Sequence, residues 1–580
     1  MINYNRMKSN DADIVKCVLE NRDLTIEQAN GIISPSIEEC SPFTLKNVDK
    51  GIDLLNKAIL DKIKIGILCD PDADGTFSSS MFNNYLKEEL NYKNIDIIYH
   101  REHAKAHGVN QEVFDYILNN NIELAIIPDA GSTLGDYNNI KILSENHGIK
   151  FLITDHHEVE WPTELDNVVL INPHQQGCTY ENKSLSGTAV TYKFIQAFSE
   201  GRVDIGNKYQ DVVACSLISD MMDMKDSLEN RLLFNKGSLK ANITSPLLES
   251  FIVAKTITGD RLSIESVAFS ISSNINATIR VGSQEDKELL FKAMYDRDLV
   301  SSNKRGSFGA LEMAQDECIR VMNSNKSRQD KTVKAAVEKI RSRISDNDLL
   351  EDKVLILNIK DLVSTELTGL VANKILNEIS KRPTLLYRQT DMIVGGSARG
   401  LGIDSFKDIC EESNLFNMLS GHGNAFGFKL DKSKIDSARD YFNERLKDID
   451  FNNTLEVDAV YNISPDIEDV ISISNLNELW CNDIKEPKFI IKNVVIDTSK
   501  IQKIGNATYT WKDEYGITFT KNYGSKVFIE EFAHEEMYDR KARYPFTGTQ
   551  IISDLVVKFR KNDKGYTYLE IVDAKSKIYE

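Results

Sequence analysis

The stretch ILCDPDADGTFSSS, Ile67–Ser80, places an apolar run directly before three aspartates at every second position. The apolar residues predict a buried strand, and the aspartates follow where that strand ends. The charges of Asp70, Asp72 and Asp74 would repel one another unless a divalent cation binds between them. Asp, Pro and Gly also form ordinary polar turns, so the stretch by itself leaves both interpretations open.

The composition bounds the class of protein. With 580 residues we expect three to four domains, and no apolar run approaches the roughly 20 residues that span a bilayer. The first residues lack the apolar segment of a signal peptide. Eight cysteines without a CxxC pair indicate neither a zinc ribbon nor a disulfide framework, which favours a reducing cytoplasm.

The net charge of −18 counts weakly against a nucleic-acid partner, because phosphate binding favours a basic surface. Bound cations would offset part of this charge, and the local field in a cleft matters more than the sum over the molecule.

Five short apolar runs alternate with amphipathic segments of helical length. The runs are KIGILC, DIIYH, ELAIIPD, KFLITD and VVLIN. This alternation is typical of a doubly wound parallel sheet with helices on both faces. Asp70, Asp129, Asp155 and Asn172 follow four of the runs, and ligands of open α/β sheets bind at that edge.

The remaining segments differ in character. Residues 15–60 and 211–323 read as helical, 353–446 as a second α/β block, and the tail from 455 as strand-rich. The segment 318–344 is helix-like and basic, which indicates either a phosphate contact or, more commonly, a solvated face. Aromatic residues in the tail would stack nucleic-acid bases on a barrel of the OB type or fill its core: Tyr509, Trp511, Phe519, Tyr523 and Phe528.

Further acidic motifs extend the predicted cation site. Asp129 ends one run, TDHH presents Asp155, His156 and His157 after another, and Asp220 follows the apolar run SLIS, which we interpret as a fourth strand end. Carboxylates with one imidazole favour Mn²⁺ or Mg²⁺ over structural zinc. Two such ions about 3.5–4 Å apart cleave phosphoesters. Taken singly, Asp129 is also a possible helix cap and Asp220 part of a solvated turn.

Together these motifs resemble the DHH phosphoesterase superfamily. DPDADG, PDAGS, TDHH and SLISD are similar to its four motifs in order, SGHGNAFGF to the glycine-rich motif of its second domain, and GGSARG to an element of RecJ-type exonucleases. NPHQ, SGTAVTYKF, ENR and NINATIR also resemble RecJ segments. The chain departs from the family where GGH reads Ser420-Gly421-His422 and where the expected GYG reads His107-Gly108-Val109.

The resemblance implies roles for individual residues. The implied ligands of two Mn²⁺ or Mg²⁺ ions are Asp70, Asp72, Asp74, Asp129, His156 and Asp220. Asp155 would orient its neighbours and His157 would contact the scissile phosphate, so that Asp155, His157 and Asp70 form the catalytic set. The implied contacts to DNA are Arg101, Arg280, Ser397, Arg399 and His422.

The resemblance implies a 5′-to-3′ exonuclease on single-stranded DNA that releases 5′ mononucleotides in recombination and repair. It further implies a cytoplasmic monomer, in the host cytoplasm if a phage encodes the chain, with a single-strand-binding protein or a helicase as partner. The alternatives are a DHH phosphodiesterase of short oligoribonucleotides or cyclic dinucleotides, and a catalytically silent DNA-binding relative. An inorganic pyrophosphatase fits less well because its second domain lacks the GGH-type motif.

The resemblance and the segment pattern together predict five units. They are a helical leader (1–60), a DHH domain (61–315), a connecting helix (316–350), a DHH-associated domain (351–450) and an OB-like β-rich domain (451–580).

Overall fold

The computed structural model describes residues 4–9, 11–101, 106–345, 351–389, 392–451, 455–504, 508–522, 550–562 and 565–577. Within these ranges we find no helical segment that combines the length and the apolar character needed to span a bilayer.

A five-stranded, fully parallel sheet forms the centre of the first α/β unit, and its strand order is β3-β2-β4-β5-β6. The strands are β2 (Ile65–Cys69), β3 (Ile95–Tyr99), β4 (Leu124–Pro128), β5 (Lys150–Thr154) and β6 (Val168–Ile171). The helices are α3 (Val48–Asp61), α4 (Ala73–Asn84), α5 (Gln111–Asn119), α6 (Leu134–His147) and α7 (Gly187–Ser199).

Helices cover both faces of this sheet. Ile65 and Ile67 belong to a core that α3, α4 and α7 close, while Leu68 and Ile127 belong to a separate core under α5 and α6. Neighbouring residues of one strand thus enter opposite layers, which explains the continuous apolar runs. The predicted doubly wound fold is confirmed.

A helical layer and one long helix follow the sheet. The short helices are α8 (Gln210–Ser219), α9 (Leu228–Gly237), α10 (Pro246–Ala254), α11 (Ile264–Ser266), α12 (Ser273–Val281) and α13 (Gln284–Ala293). A hairpin of β7 (Leu299–Ser301) and β8 (Leu311–Met313) leads into α14 (Ala314–Ser345), the predicted basic helix. On α14, Lys331 and Lys334 are exposed, whereas Arg320 pairs with Glu312 and Glu317.

The second α/β unit has a mixed five-stranded sheet of order β12-β13-β11-β10-β9. Its strands are β9 (Leu355–Asn358), β10 (Thr384–Gln389), β11 (Ile393–Arg399), β12 (Phe416–His422) and β13 (Ala425–Asp431). Its helices are α15 (Thr368–Ile375), α16 (Phe406–Glu412) and α17 (Ile435–Arg445). Only the β9–β10 pair is parallel, and the three other pairs are antiparallel.

The C-terminal unit is β-rich, as predicted. Its elements are β14 (Leu455–Val457), β15 (Ala459–Tyr461), α18 (Ile467–Ser474), β16 (Phe489–Asp497), β17 (Gln502–Ile504), β18 (Thr508–Lys512), β19 (Thr518–Lys521), β20 (Gln550–Lys561) and β21 (Thr567–Lys577). Seven of the strands form one sheet of order β15-β16-β20-β21-β19-β18-β17. Tyr509, Trp511 and Phe519 are buried in its core, so these rings do not offer a stacking surface. Tyr523 and Phe528 lie outside the described residues.

The N-terminal segment contacts two units. β1 (Tyr4–Arg6) pairs in parallel with β14, and α1 (Ile14–Glu20) and α2 (Ile26–Ile33) share the core of the C-terminal sheet. Glu39 instead reaches α7, where its carboxylate lies 2.8 Å from the fully buried ammonium of Lys193. The predicted domain boundaries stay a prediction.

Candidate metal centre

Acidic side chains converge at the carboxyl edge of the parallel sheet. Asp70 and Asp72 follow β2, Asp129 follows β4 and Asp155 follows β5, as the spacing predicts. Asp129 has a left-handed backbone with φ of 62°, a conformation that costs a non-glycine residue on the order of 1–3 kcal/mol and is concentrated at functional sites.

The prediction that Asp220 ends a strand is wrong. The preceding run belongs to helix α8, in agreement with the helical prediction for 211–323, and Asp220 is the residue that ends this helix. Every residue from Gln210 to Ile218 is buried, so the helix has no polar face that would reveal its period in the sequence. The carboxylate of Asp220 nevertheless reaches the predicted site.

His156 joins three of the carboxylates. Its Nε2 lies 3.3 Å from Oδ1 of Asp129 and 3.3 Å from Oδ2 of Asp220, and a ligand atom of Asp74 lies within 4.8 Å of His156 and Asp220. His156 Nε2 and Asp129 Oδ1 are buried and have no hydrogen-bond partner among the described residues. Leaving such atoms unsatisfied is costly, and a cation between them would satisfy both. The donor set therefore fits a divalent metal ion.

The electrostatics of this cluster point the same way. Burial, reinforced by the charge of Asp74, raises the pKa of Asp129 well above its usual range. Burial and Asp74 also raise the pKa of Asp220. Burial, together with His157, lowers the pKa of His156 to about 4, so its ring is neutral at pH 7. Concentrated carboxylates beside a neutral imidazole form a site that gains stability from a bound cation.

Asp74 is held by the N-terminus of α7. The backbone N–H groups of Gly187 and Thr188 donate to its two carboxylate oxygens at 2.8 and 2.9 Å, and the Thr188 hydroxyl donates to it as well. Gly187 also lies against Asp129, where a Cβ would come within 2.5 Å of the Asp129 Cβ. A glycine at this position lets the helix approach both carboxylates.

Asp155 organises the DHH segment. Its carboxylate accepts hydrogen bonds from the backbone N–H groups of Ser132 (3.0 Å) and His156 (2.7 Å), and its Oδ1 lies 2.8 Å from Nδ1 of His157. The charge of Asp155 raises the pKa of His157 to about 10. His157 is thus a half-exposed cation beside the carboxylates, while Asp155 is fully buried.

A second cluster surrounds Asp70 and Asp72. Nδ1 of His107 lies 2.5 Å from Oδ2 of Asp70, and the N–H of Gly108 donates to Oδ1 of Asp70 at 2.9 Å. Burial alone would raise the pKa of Asp70, but the charge of His107 holds it below its usual range. Asp72 caps α4 by accepting the N–H of Gly75 at 2.8 Å.

The predicted DNA contacts fall in several places. Ser397 and Arg399 lie two residues apart on β11, and burial, with Arg280 next, lowers the pKa of Arg399. Burial lowers the pKa of Arg280, and the charge of Asp72 opposes this effect. Arg101 is exposed and pairs with Glu288 at 3.3 Å.

Among the described residues, no hydrogen bond joins Arg101 to Ser397 or Arg399. The backbone of His422 ends β12, and its side chain lies outside the described part of the structure.

Sequence reasoning missed four residues that build the site. They are His100, His107, Gly187 and Thr188. The segment SGTAVTYKF was noted as a family resemblance, but its residue types do not indicate that the N–H groups of its first helical turn donate hydrogen bonds to Asp74. The two histidines carried a usable signal, because the chain has only nine histidines and these two lie at the end of a predicted strand and shortly after it.

Comparisons with known proteins identify relatives of this chain. Residues 64–217 match the N-terminal domain of the DHH family. The SPbeta prophage-derived protein YorK of Bacillus subtilis (strain 168), named as a single-strand DNA-specific exonuclease, is 31% identical over 485 residues, covering 80% of each chain. The single-stranded-DNA-specific exonuclease RecJ of the same strain is 28% identical over 475 residues, 80% of this chain and 56% of RecJ.

Solved structures share the fold. RecJ of Thermus thermophilus in complex with Mn²⁺ matches with a TM-score of 0.67 at 17% identity, covering all of this chain and 80% of that one. An exonuclease RecJ bound to manganese matches with a TM-score of 0.53 at 22% identity, covering 70% of this chain and 96% of that one.

Proposed function

We propose that this chain, which belongs to the RecJ-like exonuclease family of the DHH superfamily, is a metal-dependent exonuclease that degrades single-stranded DNA from its 5′ end. The observation that carries the proposal is that two buried atoms, His156 Nε2 and Asp129 Oδ1, have no hydrogen-bond partner among the described residues. Asp74 and Asp220 complete that cluster from two other segments.

The described residues would hold two Mn²⁺ or Mg²⁺ ions. One ion would lie among Asp74, Asp129, His156 and Asp220, and the other beside Asp70 and Asp72. Such ions, when bound, activate a water molecule and neutralise charge on the attacked phosphate.

His157 is suited to contact the scissile phosphate. Its pKa of about 10 keeps the ring protonated at neutral pH, and its side chain is half exposed next to the metal cluster. Asp155 fixes the orientation of the ring through Nδ1. The outward nitrogen can therefore donate to a phosphate oxygen as negative charge develops there.

The end of the strand would bind beside Arg280 of α12 and Arg399 of the second unit. These two side chains carry like charges in a partly buried region, where an anion relieves their repulsion. Guanidinium groups and the hydroxyl of Ser397 match the oxygens of a terminal 5′ phosphate. We assign Arg101 and His422 to the same strand as further contacts.

Exposed lysines on α14 provide a path for the rest of the strand. Lys331 and Lys334 lie with Lys255 and Lys326 around a cavity of about 440 Å³. Backbone phosphates are attracted to such a local field even though the whole chain is acidic. We propose that the chain acts as a cytoplasmic monomer, with a single-strand-binding protein or a helicase delivering the strand.

Digestion of end-labelled DNA tests the proposal. The wild type should release mononucleotides from 5′-phosphorylated single strands with Mn²⁺ or Mg²⁺, and neither from duplexes nor in the presence of a chelator. Asp129→Asn should abolish cleavage, whereas the exposed-site control Asp53→Asn should not. Cleavage restricted to dinucleotides or cyclic dinucleotides would contradict the proposal in favour of the phosphodiesterase alternative. Strand binding without any cleavage would instead support the silent relative.

A further inference from the structure

His107, which follows β3 in the chain, brings an imidazole to the second carboxylate cluster. Ligand atoms of Asp70, Asp72 and His107 all lie within 4.8 Å of one another. In the first cluster, ligand atoms of Asp74, His156 and Asp220 also lie within 4.8 Å of one another.

Both carboxylate oxygens of Asp70 are contacted by His107 and Gly108. His107 contacts Oδ2 at 2.5 Å, and the Gly108 N–H donates to Oδ1 at 2.9 Å. Gly108 has φ of 64°, and a Cβ there would come within 2.8 Å of the Asp136 carboxyl carbon. Glycine therefore permits the close turn that places His107 over Asp70.

A second histidine approaches Asp70 from the interior. His100 is 2% exposed, and its Nε2 lies 3.7 Å from Oδ1 of Asp70. Within the described ranges this nitrogen has no hydrogen-bond partner, so an unsatisfied polar atom is aimed into the cluster. His107 approaches Asp70 more closely than His100 does, and its side chain is 57% exposed.

We propose that His107 is a ligand of the second metal ion, together with Asp70 and Asp72, so that each ion of the pair is bound by one imidazole. The inference rests on the proposed function, because it assigns a residue to the same metal centre. Nitrogen ligands favour transition metals over Mg²⁺, whereas an all-carboxylate site favours harder ions. The ion would displace a proton from His107, and the nitrogen ligand would bias the second site toward Mn²⁺.

Binding of Mn²⁺ to the metal-free full-length chain tests this assignment, with calorimetry and electron paramagnetic resonance as readouts. The wild type should bind two ions, and H107Q should weaken one of them by about 10- to 100-fold or more while leaving the other unchanged. H107D, which supplies an oxygen ligand, should restore the second ion and raise the affinity of that site for Mg²⁺ relative to Mn²⁺. H147Q, which alters an exposed histidine on α6, is the matched control.

Pulsed electron paramagnetic resonance detects the coupling between Mn²⁺ and a ligating nitrogen. It therefore distinguishes a histidine that binds the ion from one that only positions other ligands. In H156Q the remaining Mn²⁺ should still show an imidazole nitrogen, and the signal should vanish in H156Q/H107Q. Two ions of wild-type affinity in H107Q, or an unchanged nitrogen signal in the double variant, would overturn the assignment of His107. A wild type that binds no Mn²⁺ and cleaves no DNA would overturn the proposed function as well.

Discussion

A single methyl group added at Gly187 should disable the metal centre. The Cβ of Gly187→Ala would lie 2.5 Å from the Cβ and 2.7 Å from the Cα of Asp129, whereas ordinary contacts begin at 3.4 Å. Either Asp129 or the first turn of α7 must therefore retreat by about 1 Å. Metal–ligand distances tolerate only about 0.2 Å, and a 1 Å misplacement can lower a rate by about 100-fold.

The same shift disturbs Asp74, which accepts the Gly187 N–H. We expect Gly187→Ala to lower the Mn²⁺-dependent rate of single-strand cleavage by about 100-fold and the free energy of unfolding by about 1–3 kcal/mol. Gly31→Ala is the matched control, because nothing lies within 4 Å of a Cβ at that position. End-labelled digestion and Mn²⁺ calorimetry measure the effect. Wild-type cleavage by Gly187→Ala, with two ions bound, would refute the argued packing of α7 on Asp129.

Three further perturbations test other parts of the account. Arg399→Ala should raise the KM for 5′-phosphorylated strands by about 10- to 100-fold, since it removes a charge-assisted hydrogen bond, and should change the KM for 5′-hydroxyl strands little. Replacing Lys331 and Lys334 by Gln should weaken the salt dependence of single-strand binding. The slope of the logarithm of the binding constant against the logarithm of the salt concentration should decrease in magnitude by about 1.4. Glu39→Gln should be less stable than the wild type at pH 7. Burial raises the pKa of Glu39, but Lys193 and Lys236 outweigh this effect and lower the pKa from 4.5 to about 2. The wild type should therefore have the higher free energy of unfolding above pH 4.5. Up to about 3 kcal/mol of this difference should be lost as the pH falls toward 2.

Each of these variants has a matched control. Arg297→Ala removes an exposed arginine that pairs only with Glu249 among the described contacts and should leave KM unchanged. Replacing the exposed Lys50 and Lys57 by Gln should not alter the salt slope. Glu338→Gln, on the exposed face of α14, should change stability by less than about 0.5 kcal/mol at any pH. Equal effects in a variant and its control would contradict the role assigned to that variant.

The sequence predicted the sheet edge because strand ends leave a local signature. Asp70, Asp129 and Asp155 each follow a short apolar run, and parallel strands bring such positions to one edge whatever the details of packing. Buried parallel strands also lack polar alternation, so the five runs were identifiable without any tertiary information.

The contacts between distant segments were not predictable in the same way. The α7 turn that grips Asp74 is more than a hundred residues away in sequence, and its donors are backbone N–H groups that any residue supplies. Asp220 illustrates a different limit, since the buried helix before it shows no amphipathic period. In the sequence His107 was recognised only as a departure from the family motif, because its role depends on the contact between its ring and Asp70.

Anomalous diffraction from crystals soaked in Mn²⁺ tests the central claim most directly. The account predicts two peaks about 3.5–4 Å apart, one among Asp74, Asp129, His156 and Asp220 and the other beside Asp70, Asp72 and His107. Soaked crystals with no peak at these carboxylates, or with manganese bound only elsewhere, would contradict it.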